Sequence, residues 1–171
     1  IVRLGYRPSS AAQSLRNQRA GAVGFELRPH RRNDLVLAFL IELTLAGTRH
    51  GCRVVPFTPR VDQGVDAYDD LFRTNVVDAF VITDTHRGDI RPPRLAATGI
   101  PFVSFGQVWD QPGFSAWADV DGAAGSRMAV DHLVTSGYRR VAYLGWPGGS
   151  ETGDDRRRGW AEATRAHDLH D

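Results

Sequence analysis

Residues 22–57, AVGFELRPHRRNDLVLAFLIELTLAGTRHGCRVVPF, decide the fold. AVGFEL (22–27) reads as a strand, residues 34–50 as a helix that ends before Gly51, and RVVPF (53–57) as a second strand. Two strands joined through a helix form the unit from which parallel sheets are built. Working outward, the alternation continues: a helix over about 62–75, VVDAFVI (76–82) as a strand, a short helix near 91–98, and IPFVSF (100–105) as a strand. A helix at 121–136 precedes RVAYLG (140–145) as a fifth strand, and a last helix runs from about 154 to 168. The expected class is α/β, a doubly wound parallel sheet of flavodoxin-like order. VAYL, apolar on both faces, belongs in the middle of such a sheet.

Two helices differ in pattern. Helix 121–136 carries Ala124, Met128, Ala129 and Leu133 at helical spacing, which predicts a stripe facing the core. Helix 34–50 is apolar nearly all round, so one face covers the sheet while another seeks a partner chain; a helix enclosed in a larger monomer fits the pattern equally. Segment 107–118 reads as a loop with exposed Trp109, Phe114 and Trp117.

Composition narrows the function classes. The chain has 171 residues, enough for one domain with a substantial core, and its hydrophobic content of 42% is ordinary for a globular protein. A formal net charge of +1 provides no bulk basic field for nucleic acid, although every basic residue is an arginine. The single cysteine, Cys52, forms no internal disulfide, which agrees with a reducing, cytoplasmic compartment. The opening IVRLGYRPSS lacks the apolar core of a signal peptide, and the longest apolar run, Leu35–Leu43, contains Glu42 and is too short to span a bilayer. The first residue is Ile1, and the chain reads as a fragment.

In an open α/β sheet, ligands sit beyond the carboxyl ends of the strands. Those positions are Arg28–Asp34, Thr58–Asp62, Thr83–His86, Gly106–Trp109 and Trp146–Asp155. Gly145-Trp146-Pro147-Gly148-Gly149 reads as a turn rather than a phosphate cradle, since neither dinucleotide-binding nor P-loop spacing is present and the chain has no lysine. Hydrolase elbows, HExxH and CxxC are also absent, and the six histidines show no ligand spacing. No cofactor, metal or catalytic constellation is indicated, so an enzyme is not expected.

The amino-terminal segment carries the functional signal. Pro8 disfavours helix at Arg7, Ser9 or Ser10 then caps a helix AAQSLR (11–16), and that helix is too short to be stable alone in water. Ala12 and Leu15 share one face, with Arg3, Arg7, Arg16 and Arg19 around them. A small apolar wedge flanked by arginines is the chemistry of minor-groove insertion. Taken alone it equally describes a solvated basic tail.

LGYRPSSAAQSLRNQRAGAVGFEL (4–27) resembles the junction between DNA-binding headpiece and effector domain in the lactose-repressor (LacI/GalR) family of transcriptional regulators. VVDAFVI, GIPFVSFG and DVDGAAGSRMAVDHLVTSGYRRVAYLG are similar to three further family blocks in the same order, and Arg156-Arg157-Arg158-Gly159-Trp160 resembles its R-x-x-G-aromatic motif.

The resemblance implies a hinge helix with the end of the headpiece linker at 1–19, and the N-terminal subdomain of a periplasmic-binding-protein-like type I effector domain at 20–171. The helix-turn-helix headpiece and second subdomain are expected to lie outside this chain. Leu15 becomes the minor-groove wedge, Ala12 its neighbour and Arg16 a DNA contact. Arg156 becomes the effector arginine, with Thr152 and Ser150 at polar contact positions of the same loop. Leu35 and Val36 fall where the family often supplies aromatic rings, and Asp121 keeps an acidic position while also suiting a helix N-cap. Gly106 replaces a common aspartate.

The implied partners are operator DNA, a small-molecule effector of carbohydrate type and a second copy of the chain docked through helix 34–50, with no membrane. The alternatives are a periplasmic-type sugar-binding protein of an uptake system, which the hinge pattern at residues 3–19 opposes, and a flavodoxin-like or nucleotide-binding enzyme, which the missing phosphate motifs oppose.

Overall fold

In a computed structural model, residues 19–28, 34–60, 62–146 and 149–169 are described. They form two compact units that divide between Trp117 and Ala118.

The first unit is built on a sheet of order β2-β1-β3-β4-β5, with β1 at Ala22–Glu26, β2 at Arg53–Phe57, β3 at Ala79–Thr83, β4 at Phe102–Phe105 and the two-residue β5 at Trp117–Ala118. β1 pairs in parallel with β2 and β3, and β3 with β4. This is the doubly wound, flavodoxin-like order, and its direction of winding reverses between β1 and β3. Pro56 lacks a ladder donor and is accommodated because β2 is an edge strand.

Side chains alternate across the sheet and so assign its helices to faces. On one face Phe80 meets Tyr68 of α2 (Asp66–Arg73), ring centroids 4.7 Å apart, in a cluster that includes Leu95 of α3 (Arg91–Ala97). On the other, Phe39 of α1 (Asp34–Arg49) stacks on Phe105 at 4.2 Å and approaches Phe25 at 5.9 Å. Gly24 is required where β1 passes Phe80: a Cβ there would lie 2.5 Å from the phenyl ring. At the opposite end of the strand, Asp78 accepts hydrogen bonds from the backbone N–H groups of Ala20, Gly21 and Ala22 at 2.8, 2.6 and 3.3 Å. These two contacts give the Val-Gly and Val-Asp pairs of the sequence a physical reason.

α1 contains no fully buried residue; Leu35, Leu37, Ile41 and Leu45 are all exposed. Phe114, expected to be exposed, instead stacks on Phe102 at 4.6 Å, whereas Trp109 is half-buried and Trp117 exposed.

The second unit consists of α4 (Gly122–Thr135) and α5 (Glu151–Ala166) with the segments between them. The two helices approach so closely that a Cβ on Gly159 would run into the backbone of Ala123. The buried positions of α4 are accordingly Ala123 and Val130, seven residues apart. This corrects the predicted stripe: Met128 is 70% exposed and Ala129 is exposed, because contact with α5 selects a different face.

A second correction concerns residues 140–145, which form no strand. Val141 and Tyr143 are half-buried and linked to α5, the Val141 carbonyl accepting from the Trp160 indole at 3.1 Å and the Tyr143 hydroxyl donating to the Gly153 carbonyl at 3.1 Å. Leu144 points away and is 99% exposed. The segment therefore has the alternation of a strand without the ladder that makes one.

α5 begins at Glu151, three residues earlier than predicted, because Ser150 caps it. α2 is shorter than predicted, since residues 62–65 form turns before it.

Candidate functional site

At the carboxyl ends of β1 and β3, Arg91 is 4% exposed and sits between two carboxylates. Its guanidinium donates to Asp89 through Nε (3.0 Å to Oδ1) and Nη2 (2.7 Å to Oδ2), to Glu26 Oε2 at 2.8 Å, and to the Thr83 carbonyl at 2.9 Å. The Tyr68 hydroxyl donates to the same Glu26 oxygen at 2.6 Å. Arg28 closes the network from the solvent side, its Nε 3.3 Å from Glu26 Oε1 and its Nη1 3.4 Å from Asp84. Asp84 itself adopts a left-handed backbone with φ 55°, which aspartate tolerates better than most side chains.

Burial works to raise the Glu26 carboxyl, but the Tyr68 hydroxyl and the two guanidiniums outweigh it and hold the group below the usual range. Asp89 is likewise held low: burial opposes ionisation and the Arg91 hydrogen bonds overcome it. Burial pushes the Tyr68 phenol up, so it stays a donor at any ordinary pH. Desolvation disfavours charge on Arg91 as well, and the bonds to Asp89 more than reverse that.

A recess of about 260 Å3 opens over this network, lined by Glu26, Arg28, Val65, Tyr68, His86 and Ile90 among others. Across the turn at His86–Ile90 a second recess of about 310 Å3 is lined by Val108, Trp109, Asp110 and Gln111. Both lie at strand ends that the sequence marks as ligand positions. The network itself was missed. Its signals were a glutamate inside an otherwise apolar parallel strand and an Asp-x-Arg pair at the head of α3.

Of the residues expected at the effector site, four fall in the second unit. Ser150 is the N-cap of α5, its Oγ accepting from Gly153 N at 3.2 Å, and Thr152 lies exposed in the first helical turn rather than in a loop. Asp121 caps α4, its Oδ1 accepting from Ala124 N at 2.7 Å. One turn into α5, Arg156 lies against Gly122, next to that cap, with its guanidinium 5.4 Å from the centroid of the Trp146 ring. Among the described residues Arg156 makes no hydrogen bond or ion pair, so its planar fork of donors stands on an indole face beside two helix N-termini.

Arg158, two residues on, is engaged instead with Asp155 at 2.8 Å. Leu35, exposed, and Val36, half-buried, belong to the first turn of α1 in the sheet unit. Ala12, Leu15 and Arg16 lie outside the described residues, as do Pro147 and Gly148 of the predicted turn.

Comparison with known proteins gives the family and the fold. Residues 38–171 match the family of periplasmic binding proteins and sugar binding domain of LacI family. The chain is 27% identical to the HTH-type transcriptional regulator CelR of Thermobifida fusca, over 97% of this chain and 50% of that protein. It is also 27% identical to the HTH-type transcriptional regulator RafR of Escherichia coli, over 99% and 51%.

Among solved structures, a LacI-family regulatory protein from Chloroflexus aggregans superposes with a TM-score of 0.80 at 33% identity, covering 89% of this chain and 55% of that one. A CelR–cellobiose complex shares the fold with a TM-score of 0.69 at 24% identity, covering 100% and 51%. The chain spans about half the length of the curated relatives it matches. With its winding order, its strand-end recesses and a family match over most of its length, this chain belongs to the group formed by the periplasmic binding proteins and the sugar-binding domain of the LacI family.

Proposed function

We propose that this chain is part of a cytoplasmic LacI-type DNA-binding transcription regulator controlled by a carbohydrate effector, and that it has no catalytic role. Residues 1–19 end the headpiece linker and form the hinge helix, and residues 20–171 form the N-terminal effector subdomain. The observation that carries the effector reading is Arg156. A guanidinium without an acceptor among the described residues, backed by an indole and set one turn into α5, can donate two parallel hydrogen bonds to neighbouring hydroxyls. Thr152 and Ser150 add hydroxyls at the same helix N-terminus and Asp121 an acceptor on the neighbouring one; in the sheet unit, Leu35 and Val36 of α1 are the apolar positions that the family resemblance assigns to effector. The names of the relatives, one of them in complex with cellobiose, support the same reading.

Effector binding changes transcription when it favours one arrangement of the effector domain over another, and hence the pairing of hinge helices on DNA. In the hinge, Leu15 enters the minor groove, with Ala12 beside it and Arg16 contacting phosphate. A second copy of the chain docks through α1, where Leu37, Ile41 and Leu45 repeat every four residues on an exposed face. No described helix is long and apolar enough to cross a membrane.

The test is isothermal titration of the full-length protein with a panel of neutral saccharides that includes cellobiose, alongside its Arg156→Ala variant. A saccharide that binds the parent and loses at least about tenfold in affinity on Arg156→Ala supports the assignment, since a lost charge-assisted pair of bonds is worth roughly 1.5–3 kcal/mol. Equal binding by both proteins contradicts it.

A further inference from the structure

We propose that the Asp78 carboxylate and the Arg53 guanidinium are positioning groups for DNA binding, which together fix the direction in which the chain leaves the sheet towards residues 1–19. This rests on the regulator reading above and names the joint through which a DNA-contacting segment is presented.

Three observations carry it. First, two residues on the flanking strands take up each main-chain donor and acceptor of residues 20–22. Asp78 Oδ1 accepts from Ala20 N at 2.8 Å, and its Oδ2 accepts from Gly21 N at 2.6 Å and from Ala22 N at 3.3 Å. The Ala20 carbonyl accepts from Arg53 Nη2 at 2.6 Å, the Gly21 carbonyl from Arg53 N at 2.9 Å, and the Ala22 carbonyl from Asp78 N at 2.8 Å. Three consecutive N–H groups converge on one carboxylate, the arrangement by which main-chain concavities hold anions.

Second, the chain bends here. Gly21 has φ 65°, a left-handed conformation that glycine adopts without strain, and it is exposed between buried Ala20 and Ala22. Both alanines belong to the core cluster that contains Tyr68 and Phe80, so the bend is pinned by a buried methyl on each side. Third, β1 lies between β2 and β3, and the two residues reach it from opposite flanks, Arg53 at the first position of β2 and Asp78 immediately before β3. The β ladder is made by main-chain groups and needs neither side chain. What the carboxylate and guanidinium add is stiffness at the exit. Without them residues 20–22 fray, and the conformational entropy of re-ordering them on DNA opposes binding.

The experiment compares the full-length protein with its Asp78→Asn and Arg53→Met variants. A Val130→Ala variant, which opens a cavity in the helical unit, controls for lost stability. The probe is a duplex that the parent enriches from a random-sequence library. Amide hydrogen exchange and affinity for the best-binding member of the saccharide panel are measured on the same proteins. The expected result is faster exchange at residues 20–22 and DNA affinity at least about tenfold weaker in both clamp variants. Their saccharide affinity should stay within about twofold of the parent's, and Val130→Ala should bind DNA like the parent. Parent-like DNA affinity in the clamp variants overturns the inference and leaves the regulator reading standing. So do parent-like exchange at residues 20–22 and an equal loss of DNA affinity in Val130→Ala. If Asp78→Asn does not fold, Arg53→Met decides alone, because Arg53 is exposed. A parent that enriches no duplex overturns this inference and the regulator reading together.

Discussion

Arg91 in the sheet unit and Arg156 in the helical unit are the same side chain in opposite circumstances. Arg91 is buried, and its nitrogens are taken up by Glu26, Asp89 and a backbone carbonyl. Arg156 is half-buried, rests on the Trp146 ring, and makes no polar contact among the described residues. The first guanidinium has its acceptors inside the protein, and removing it strips Asp89 of its guanidinium partner and leaves Glu26 to Tyr68 and the more distant Arg28. The second has donors waiting for an acceptor, and removing it leaves the fold little changed. An arginine's role follows from where its hydrogen bonds go rather than from its being an arginine near a helix start.

The largest expected effect breaks the comparison on the stability side. Arg91→Met should lower the unfolding free energy by about 3–5 kcal/mol, the usual cost of stripping one partner from a buried ion pair. Arg156→Met should change it by no more than about 0.5 kcal/mol, as at a surface position without structural bonds. Urea denaturation followed by circular dichroism measures both, and equal losses would erase the distinction.

Acid sharpens the same contrast. Glu26 and Asp89 are held below their ordinary values of 4.5 and 3.8, so their charged forms stabilise the fold above those values, and that contribution is lost as pH falls from there through the lower values they hold in the fold. The denaturation midpoint should therefore drop as pH is lowered from about 5 to 3. Glu26→Gln should flatten part of that slope while lowering stability at neutral pH. Arg156→Met should leave the slope unchanged.

The smallest effect concerns the caps at the starts of α4 and α5. Ser150→Ala and Asp121→Ala should each cost about 1 kcal/mol, read from the same urea curves. A loss below a few tenths would mean that these side chains are held for ligand rather than for their helices.

Much of the fold was legible because strand and helix periodicity in the first unit coincide with real pairing. AVGFE, RVVPF and AFVIT become β1, β2 and β3 largely as read. RVAYLG did not become a strand. An apolar run reports a demand for neighbours on both sides, and pairing also needs a strand within ladder reach, which no local pattern encodes. The stripe on α4 failed for a related reason: four apolar residues at helical spacing fit several faces, and the choice fell to Gly159, thirty residues downstream, where the helices touch.

Ser150, Asp121 and Arg156 were singled out through the family blocks, and the structure brings them to adjoining helix starts in one unit. Glu26 and Arg91 were not found, because their meaning lies in a contact across 65 residues of sequence. The glutamate alone reads as an ordinary polar break in a strand. It stands out only once its partner is seen.

The most direct test of the effector reading is a thermal-shift measurement on the full-length protein and its Arg156→Ala variant, with and without the neutral saccharide that binds best. The expected result is the same melting temperature for both proteins without sugar, a rise for the parent with sugar, and no rise for the variant. An equal rise in both would contradict it, and would show that Arg156 stands outside the site that the sugar occupies.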